Sequence, residues 1–232
     1  MKALVLAAGK GIRMLPHTND KPKVLIEIDG KPFLYYILKN LENAGLKNIG
    51  IVVGYKKEKI KDFVKEYNFN VSLIEQKKLF GTGKAVLDAK QWIGEDDFIV
   101  LMGDNLYSVE DIKKMSVLDQ DFMYIGAHKS ETPEKYGVLE TDKKDLIKIH
   151  EKPENPKTNL INSGIYKLTP EIFDYLMKIQ KSPRGEYEIT DAISHLANFK
   201  KVKVYELKGY WLDMSIKNDI EKINKEVKKL GL

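Results

Sequence analysis

Residues 1–14 of the chain are MKALVLAAGKGIRM, and this stretch decides the fold. Its apolar run at residues 2–8 is short and ends at Gly9, which is typical of a strand buried on both faces of a parallel sheet. Apolar residues at helical spacing follow at 32–44, and a second apolar strand is predicted at 48–53. Strands that alternate with helices predict a parallel sheet with helices on both of its faces.

The second half of the chain has a different pattern. Strands are predicted at Asp121–Ala127, Val138–Thr141 and Leu146–His150, and no helical repeat separates the last two. We therefore predict an α/β fold with a mixed, mainly parallel sheet flanked by helices, in one continuous domain. Three further predictions concern single elements: a strand at Val24–Ile28, one helix over Gly83–Trp92, and a closing helix over Ser215–Leu230 with Ser215 as its N-cap.

Composition limits the class of protein. Hydrophobic residues make up 43% and charged residues 31% of the 232 positions, as in an ordinary soluble domain. No apolar run reaches the roughly eighteen residues that a membrane helix needs, and the first apolar stretch is too short for a signal peptide. With no cysteine, the chain can form neither a disulfide nor a thiolate site. We expect a cytoplasmic protein that does not bind membranes.

The net charge of +5 raises the question of nucleic-acid binding. The lysines are spread along the chain among 34 acidic residues, and no block of five or six like charges occurs. A solvated lysine-rich surface explains this distribution better than a nucleic-acid patch does. We expect no nucleic-acid partner.

The loop after the first strand combines glycines with cations. Gly9 and Gly11 allow backbone N–H groups to approach phosphate oxygens, while Lys10, Arg13 and Lys23 supply positive charge. The third glycine of a dinucleotide fingerprint is missing, and the Gly-Thr-Gly-Lys run at 81–84 lacks the first glycine and the hydroxyl residue of a Walker loop. By spacing alone, a tight turn with surface lysines remains as plausible as a phosphate site.

A family resemblance adds to this interpretation. It rests on motifs that follow one another in order along the chain: residues 9–14 (GKGIRM), Pro16, 21–23 (KPK), Gln76 with 81–83 (GTG), 103–104 (GD), 136–137 (YG), 151–153 (EKP), 162–164 (NSG), and Trp211 with Asp213. Together they resemble the sugar-phosphate nucleotidylyltransferases. Ile12 departs from the family, which usually has a small hydroxyl residue at that position.

The resemblance implies a fold and a division of the chain. The fold would be the Rossmann-like nucleotide-diphospho-sugar transferase fold, with a nucleotide-binding part at about 1–110 and a sugar-binding part at about 111–232. It also implies Mg²⁺ as cofactor, held by Asp104 and Asp213. Asp104 follows the apolar run 98–102, at the strand end where open α/β sheets bind ligands. Carboxylate oxygens are the protein ligands that Mg²⁺ prefers.

The remaining site residues are also implied by the resemblance. Arg13 would hold the β- and γ-phosphates, Lys23 would neutralise charge near the α-phosphate, and Lys152 would hold the phosphate of the sugar. The nucleotide would contact Leu6, Ala8, Gly9, Gly11, Gln76, Gly81, Thr82 and Gly103. The sugar would contact Gly137, Glu151 and Asn162. No role is assigned to the segment 185–191.

The expected reaction transfers a nucleoside monophosphate from an NTP to a sugar 1-phosphate and releases pyrophosphate. UTP is the favoured nucleotide and dTTP the next, with glucose 1-phosphate as the favoured sugar. A cytidylyltransferase acting on an alcohol phosphate, a GTP-using mannose enzyme and a non-catalytic nucleotide-sugar sensor remain alternatives; a dinucleotide-dependent reductase is the least favoured. We expect no appended β-helix domain, and a homo-oligomer is possible.

Overall fold

The computed structural model describes residues 1–232. The strands are β1 (Lys2–Ala7), β2 (Glu27–Ile28), β3 (Lys31–Pro32), β4 (Asn48–Val53), β5 (Val71–Glu75), β6 (Phe98–Met102), β7 (Asn105–Tyr107), β8 (Met123–Lys129), β9 (Gly137–Asp142), β10 (Asp145–Glu151), β11 (Leu160–Leu168), β12 (Val202–Glu206) and β13 (Trp211–Asp213). The α-helices are α1 (Phe33–Asn43), α2 (Lys57–Glu66), α3 (Thr82–Asp88), α4 (Lys90–Ile93), α5 (Val109–Ser116), α6 (Ile172–Leu176), α7 (Ile189–Ala197) and α8 (Asp219–Leu230). Short 3-10 helices lie at Ile12–Met14, Lys23–Leu25 and Pro133–Lys135.

Nine strands form one sheet, in the order β5-β4-β1-β6-β11-β8-β12-β10-β9. The pairs β5–β4, β4–β1, β1–β6 and β8–β12 are parallel, and the other pairs of this sheet are antiparallel. The predicted mixed α/β fold is therefore confirmed. Parallel pairing dominates the first half of the chain, where helices connect the strands, and antiparallel pairing dominates the second.

Successive side chains of β1 enter two different apolar layers, because strand residues alternate between the faces of a sheet. Ala3, Val5 and Ala7 join the layer that contains α1 and α8, while Leu4 joins the layer that contains α3 and α7. Since both faces are covered, the central strands are apolar throughout, and this is why the sequence revealed them. No helix in the structure is both long and apolar enough to span a bilayer.

Three predictions about single elements were wrong. Val24–Ile28 is not one strand, because hydrogen bonds from Leu25 N and Ile26 N turn the chain into a 3-10 helix before β2 begins. Gly83–Trp92 is not one helix, since a turn at Ala89 separates α3 from α4. The last helix begins at Asp219 rather than Ser215, and the Ser215 hydroxyl binds a carboxylate instead of capping a helix.

Two short strands that the sequence did not reveal form a separate ladder beside the main sheet. In this antiparallel pair, Asp213 of β13 lies opposite Asn105 of β7, and Trp211 lies opposite Tyr107. Asp104 directly precedes β7, and the backbone N–H of Met214 donates to its carbonyl oxygen at 2.9 Å. The ladder therefore brings Asp104 and Asp213 together, although 108 positions separate them in the sequence.

Candidate active site

The site begins where β1 and β6 end side by side. These strands are parallel, so their carboxyl ends place the loop after Ala7 next to Gly103, at the edge where open α/β sheets bind ligands. The backbone N–H of Gly103 donates to the carbonyl oxygen of Leu6 at 2.9 Å. A Cβ at Gly103 would lie 2.6 Å from that oxygen, so only glycine fits.

A first cleft of about 550 Å³ opens at this edge. Nine of the predicted phosphate- and nucleotide-binding residues are on its walls: Leu6, Ala8, Gly9, Gly11, Arg13, Lys23, Gln76, Gly81 and Thr82. Asp104 and Lys10 also line it. Gly103 is not on the wall but supports it through its bond to Leu6.

Gly11 has a left-handed backbone (φ +62°), and a Cβ there would lie 2.9 Å from Cβ of Lys23. Its carbonyl oxygen accepts a hydrogen bond from the Thr18 hydroxyl at 3.0 Å. The glycine is therefore required where the loop folds against Lys23. It keeps the cations of the loop, Arg13 and Lys23, on the same cleft.

Asp104 is held at both of its carboxylate oxygens. Lys23 Nζ lies 2.8 Å from Oδ2, and Asn105 Nδ2 donates to Oδ1 at 3.0 Å. One donor comes from the loop at residues 9–23, called the phosphate loop after the expectation for its glycines and cations, and the other comes from β7. The orientation of the carboxylate is therefore fixed by both parts of the site.

Asp213 is the second carboxylate at this point. The Ser215 hydroxyl lies 2.7 Å from each of its oxygens, and the Tyr136 hydroxyl donates to Oδ2 at 3.3 Å. Burial, together with the charge of Asp104, raises the pKa of Asp213 to about 6. Burial and Asp213 in turn raise the pKa of Tyr136 to about 12, which keeps that hydroxyl a donor.

These residues fit the Mg²⁺ that the resemblance implies. A buried carboxylate whose pKa is raised by a neighbouring carboxylate, as at Asp213, is a site that a divalent cation would stabilise. Mg²⁺ typically takes one or two protein carboxylates and completes its shell with phosphate oxygens and water. A buried acceptor without a partner, Asn105 Oδ1, lies next to Asp104.

A second cleft of about 190 Å³ adjoins the first. Glu151 and Asn162, two of the predicted sugar-binding residues, line it together with Tyr136 and Trp211. Gly137 pairs with Glu151 in the β9–β10 ladder, and a Cβ at Gly137 would lie 3.3 Å from the Glu151 carboxylate. The structure thus brings all three predicted sugar-binding residues together.

Lys152 is the predicted site residue that the structure does not bring to either cleft. Its backbone has a positive φ of 45°, and its N–H donates to the carbonyl oxygen of Tyr136 at 3.0 Å. The side chain is exposed and does not line either cleft.

Gln76 is buried in the wall of the first cleft, and the resemblance implies that it contacts the base. Its Nε2 donates to the carbonyl oxygen of Gly81 at 3.1 Å. Gly81 has φ +102°, and a Cβ there would lie 2.7 Å from the carbonyl oxygen of Tyr187. Gly81 therefore lies between Gln76 and residues 185–191, the segment without an assigned role.

That segment, residues 185–191, is bonded directly to residues 80–83, called the base loop because the resemblance implies the base there. Tyr187 N donates to Phe80 O at 2.7 Å, and Gly83 N donates to Tyr187 O at 2.7 Å. The Thr82 hydroxyl accepts from Ile189 N at 3.0 Å, at the start of α7. Thr82, a lining residue of the first cleft, is therefore hydrogen-bonded to this segment through its hydroxyl.

Comparison with known proteins identifies the family of the chain. The model of the nucleotidyl transferase family matches residues 2–229. The chain belongs to the nucleotidyl transferase family. The chain is 43% identical over 227 residues to the bifunctional protein GlmU of Methanocaldococcus jannaschii, a match that covers 97% of this chain and 54% of that protein.

Two further relatives of this nucleotidyl transferase support the assignment. A bifunctional sugar-1-phosphate nucleotidylyltransferase/acetyltransferase of Sulfurisphaera tokodaii is 42% identical over 228 residues, which is 97% of this chain and 55% of the relative. A UDP-glucose pyrophosphorylase solved with UDP-glucose has a TM-score of 0.89 at 28% identity and covers 99% of this chain and 98% of its own. The chain spans about half the length of the curated relatives it matches.

The structure of this nucleotidyl transferase also shows polar residues that sequence reasoning did not assign. Arg184 lines the second cleft, with its guanidinium 3.6 Å from Glu151 and 3.0 Å from the buried carboxylate of Glu188. A signal was present, because Arg184 and Arg13 are the only arginines of the chain. Tyr136 belongs to the YG motif at 136–137, but the sequence assigned it no role, because its hydrogen bond to Asp213 depends on the fold.

Proposed function

We propose that the chain transfers a nucleoside monophosphate from an NTP to a sugar 1-phosphate. The observation that carries this proposal is that the two clefts share the wall formed by Thr82, Met102, Asp104 and Ser215. A nucleotide in the first cleft and a sugar phosphate in the second would therefore meet at Asp104. Proximity of two bound reactants is a large part of catalysis in such a transfer.

The first cleft suits an NTP along its whole length. Lys10, Arg13 and Lys23 would bind the triphosphate, with Arg13 able to contact two oxygens at once. At the other end, Nε2 of Gln76 already donates to Gly81, so Oε1 is the group left for a base. Uracil and thymine offer an N3–H donor to such an oxygen, whereas N3 of cytosine is an acceptor. A pyrimidine with an imide edge is therefore favoured, UTP first and dTTP next.

The second cleft suits a sugar. The carboxylate of Glu151 would accept hydrogen bonds from hydroxyl groups, and the ring of Trp211 offers an apolar face. Asn162 is oriented by two hydrogen bonds, from Gly164 N to Oδ1 and from Nδ2 to the Tyr166 hydroxyl. Arg184, which lines this cleft, would supply positive charge for the sugar's phosphate.

The reaction would be an in-line displacement. An oxygen of the sugar phosphate forms a bond to the α-phosphorus, the bond from that phosphorus to the bridging oxygen breaks, and pyrophosphate leaves. Asp104 and Asp213 would hold Mg²⁺, which when bound neutralises charge on the phosphate oxygens. Arg13 would stabilise the departing pyrophosphate, and Lys23 would neutralise charge near the α-phosphate. No covalent intermediate with the protein is needed.

Glucose 1-phosphate is the sugar substrate we favour, because the structurally similar pyrophosphorylase was solved with UDP-glucose. The relative from Sulfurisphaera tokodaii is named as both a nucleotidylyltransferase and an acetyltransferase. An N-acetylated sugar 1-phosphate is therefore the second sugar substrate to test. We propose that the reaction takes place in the cytoplasm.

Pyrophosphate release is the test. Purified protein with Mg²⁺ is given UTP, dTTP, CTP and GTP, each with glucose 1-phosphate or N-acetylglucosamine 1-phosphate. We expect release only when nucleotide and sugar phosphate are both present, and loss of it in Asp104→Asn with an unchanged circular dichroism spectrum. Release with CTP and an alcohol phosphate alone would favour the cytidylyltransferase alternative. Nucleotide-sugar binding without any release would favour the sensor.

A further inference from the structure

Side chains of the segment 184–188 alternate between the two clefts. Arg184 and Glu188 line the second cleft, whereas Glu186 lines the first. These residues are two positions apart and would share one side of an extended backbone, but the chain turns at residues 183–186, where Gly185 has φ +81°. The turn directs Glu186 to the first cleft. Glu186 is thereby the one member of this polar run that reaches the nucleotide side.

The backbone around Glu186 is fixed on both sides. Ser182 N donates to the carbonyl oxygen of Glu186 at 2.8 Å, and the neighbouring Tyr187 is bonded to the base loop at its N–H and its carbonyl oxygen. Cβ of Glu186 packs against Gly81, where an added methyl would lie only 2.8 Å away. The side chain therefore leaves the backbone beside Gly81, at the base end of the cleft.

The carboxylate of Glu186 is free. It takes part in no ion pair and no side-chain hydrogen bond, and the residue is exposed. Asp104 is the other acid of this cleft, and its carboxylate is already bonded to Lys23 and Asn105. An unpaired negative charge in a cleft for a polyphosphate would repel the phosphates, so it must face a different part of the nucleotide.

The ribose is the part that matches this carboxylate. Between base and phosphates, a ribonucleotide offers two adjacent hydroxyl donors, and acidic residues bind such hydroxyls in other nucleotide folds. We propose that Glu186 accepts hydrogen bonds from the ribose hydroxyls and makes the site selective for ribonucleoside over 2′-deoxyribonucleoside triphosphates. This inference rests on the proposed function and decides between UTP and dTTP, which Gln76 cannot distinguish.

The test compares UTP with dUTP, which differ only in the 2′-hydroxyl. We expect the unmodified protein to prefer UTP in kcat/KM by roughly 10- to 100-fold, the range for a hydrogen bond to a charged group. Glu186→Ala should reduce that preference to about twofold or less. Glu186→Gln, which keeps one carbonyl acceptor, should lie between. Glu95→Ala, an exposed glutamate before the amino end of β6, is the matched control and should keep the full preference.

Equilibrium binding of UTP and dUTP to the same proteins separates this inference from the proposed function. If no pyrophosphate is released but UTP still binds more tightly than dUTP in a Glu186-dependent way, the function fails and the inference stands. Equal use of UTP and dUTP by the unmodified protein would overturn the inference. It would also be overturned if Glu186→Ala changed the ratio of CTP to UTP and left the UTP-to-dUTP ratio intact, because Glu186 would then contact the base.

Discussion

Lys23 Nζ lies 2.8 Å from Asp104 Oδ2, and this ion pair joins the phosphate loop to the proposed metal carboxylate. The two side chains are only 11% and 31% exposed, so solvent screens the pair incompletely. A divalent cation that binds Asp104 would compete with Lys23 for the same oxygen. Lys23 would then be free to contact the α-phosphate of a nucleotide.

Lys23→Met should therefore separate metal binding from turnover. Without nucleotide, we expect the variant to bind Mn²⁺, used as a probe for Mg²⁺, roughly tenfold more tightly, since the competing ammonium group is gone. Turnover should fall strongly, because positive charge near the α-phosphorus is lost. Titration followed by electron paramagnetic resonance measures the affinity. Lys21→Met, a neighbouring lysine paired with Glu27, is the control; weaker Mn²⁺ binding in Lys23→Met would contradict the competition.

Gly81→Ala should cost stability and nucleotide affinity together. The added Cβ would meet the carbonyl oxygen of Tyr187 at 2.7 Å, and the backbone has φ +102°. Gly45→Ala is the matched control, because its φ is +87° but nothing lies within 4 Å of the new Cβ. We expect about 1 kcal/mol of destabilisation for the control and about 2–4 kcal/mol for Gly81→Ala in urea unfolding. Only Gly81→Ala should weaken UTP binding; equal losses of stability would argue that the contact with Tyr187 is dispensable.

The sequence predicted those parts of the site that depend on local signals. β4 and β6 have the bounds predicted at 48–53 and 98–102, because continuous apolar runs indicate burial on both faces. Asp104 could be placed because it directly follows such a strand. Glu186 could not, since its position depends on hydrogen bonds to a base loop about a hundred residues earlier. The ladder that contains Asp213 was not predicted, because strands of three residues are too short to show a periodic pattern.

Asp111 is fully buried and fixes the loop that leads into β13. Its carboxylate accepts hydrogen bonds from Lys208 N at 2.9 Å, Gly209 N at 2.8 Å and the Ser108 hydroxyl at 2.7 Å. In Asp111→Asn, an amide NH₂ would replace one acceptor and face donors. We expect about 2–4 kcal/mol of destabilisation, because buried donors lose their partner.

The same variant should raise the Mg²⁺ concentration that half-saturates turnover, because the displaced loop carries Asp213. Asp62→Asn, at an exposed position of α2, is the control and should change neither quantity. A destabilised Asp111→Asn protein with an unchanged Mg²⁺ requirement, measured well below its unfolding temperature, would show that the loop does not position the metal carboxylate.

His128 makes the free energy of unfolding depend on pH. Burial lowers the pKa of its imidazole below the ordinary 6.5, and the charges of Asp111 and Glu206 oppose this only in part. Its ring lies 5.0 Å from that of Trp211. As the pH falls through about 6.5, the unfolded chain binds a proton at this histidine more readily than the folded one.

The contribution of His128 to stability should therefore decrease as the pH falls from 7.5 to 5.5. His128→Gln cannot be protonated, and comparing it with the unmodified protein removes the effects of other titrating groups such as Asp213. We expect the difference in free energy of unfolding between the two proteins to shift in favour of the variant as the pH falls. Urea titrations at pH 7.5, 6.5 and 5.5 measure it. A difference that stays constant, or shifts in favour of the unmodified protein, would mean that the folded protein binds the proton at His128 at least as well as the unfolded chain does.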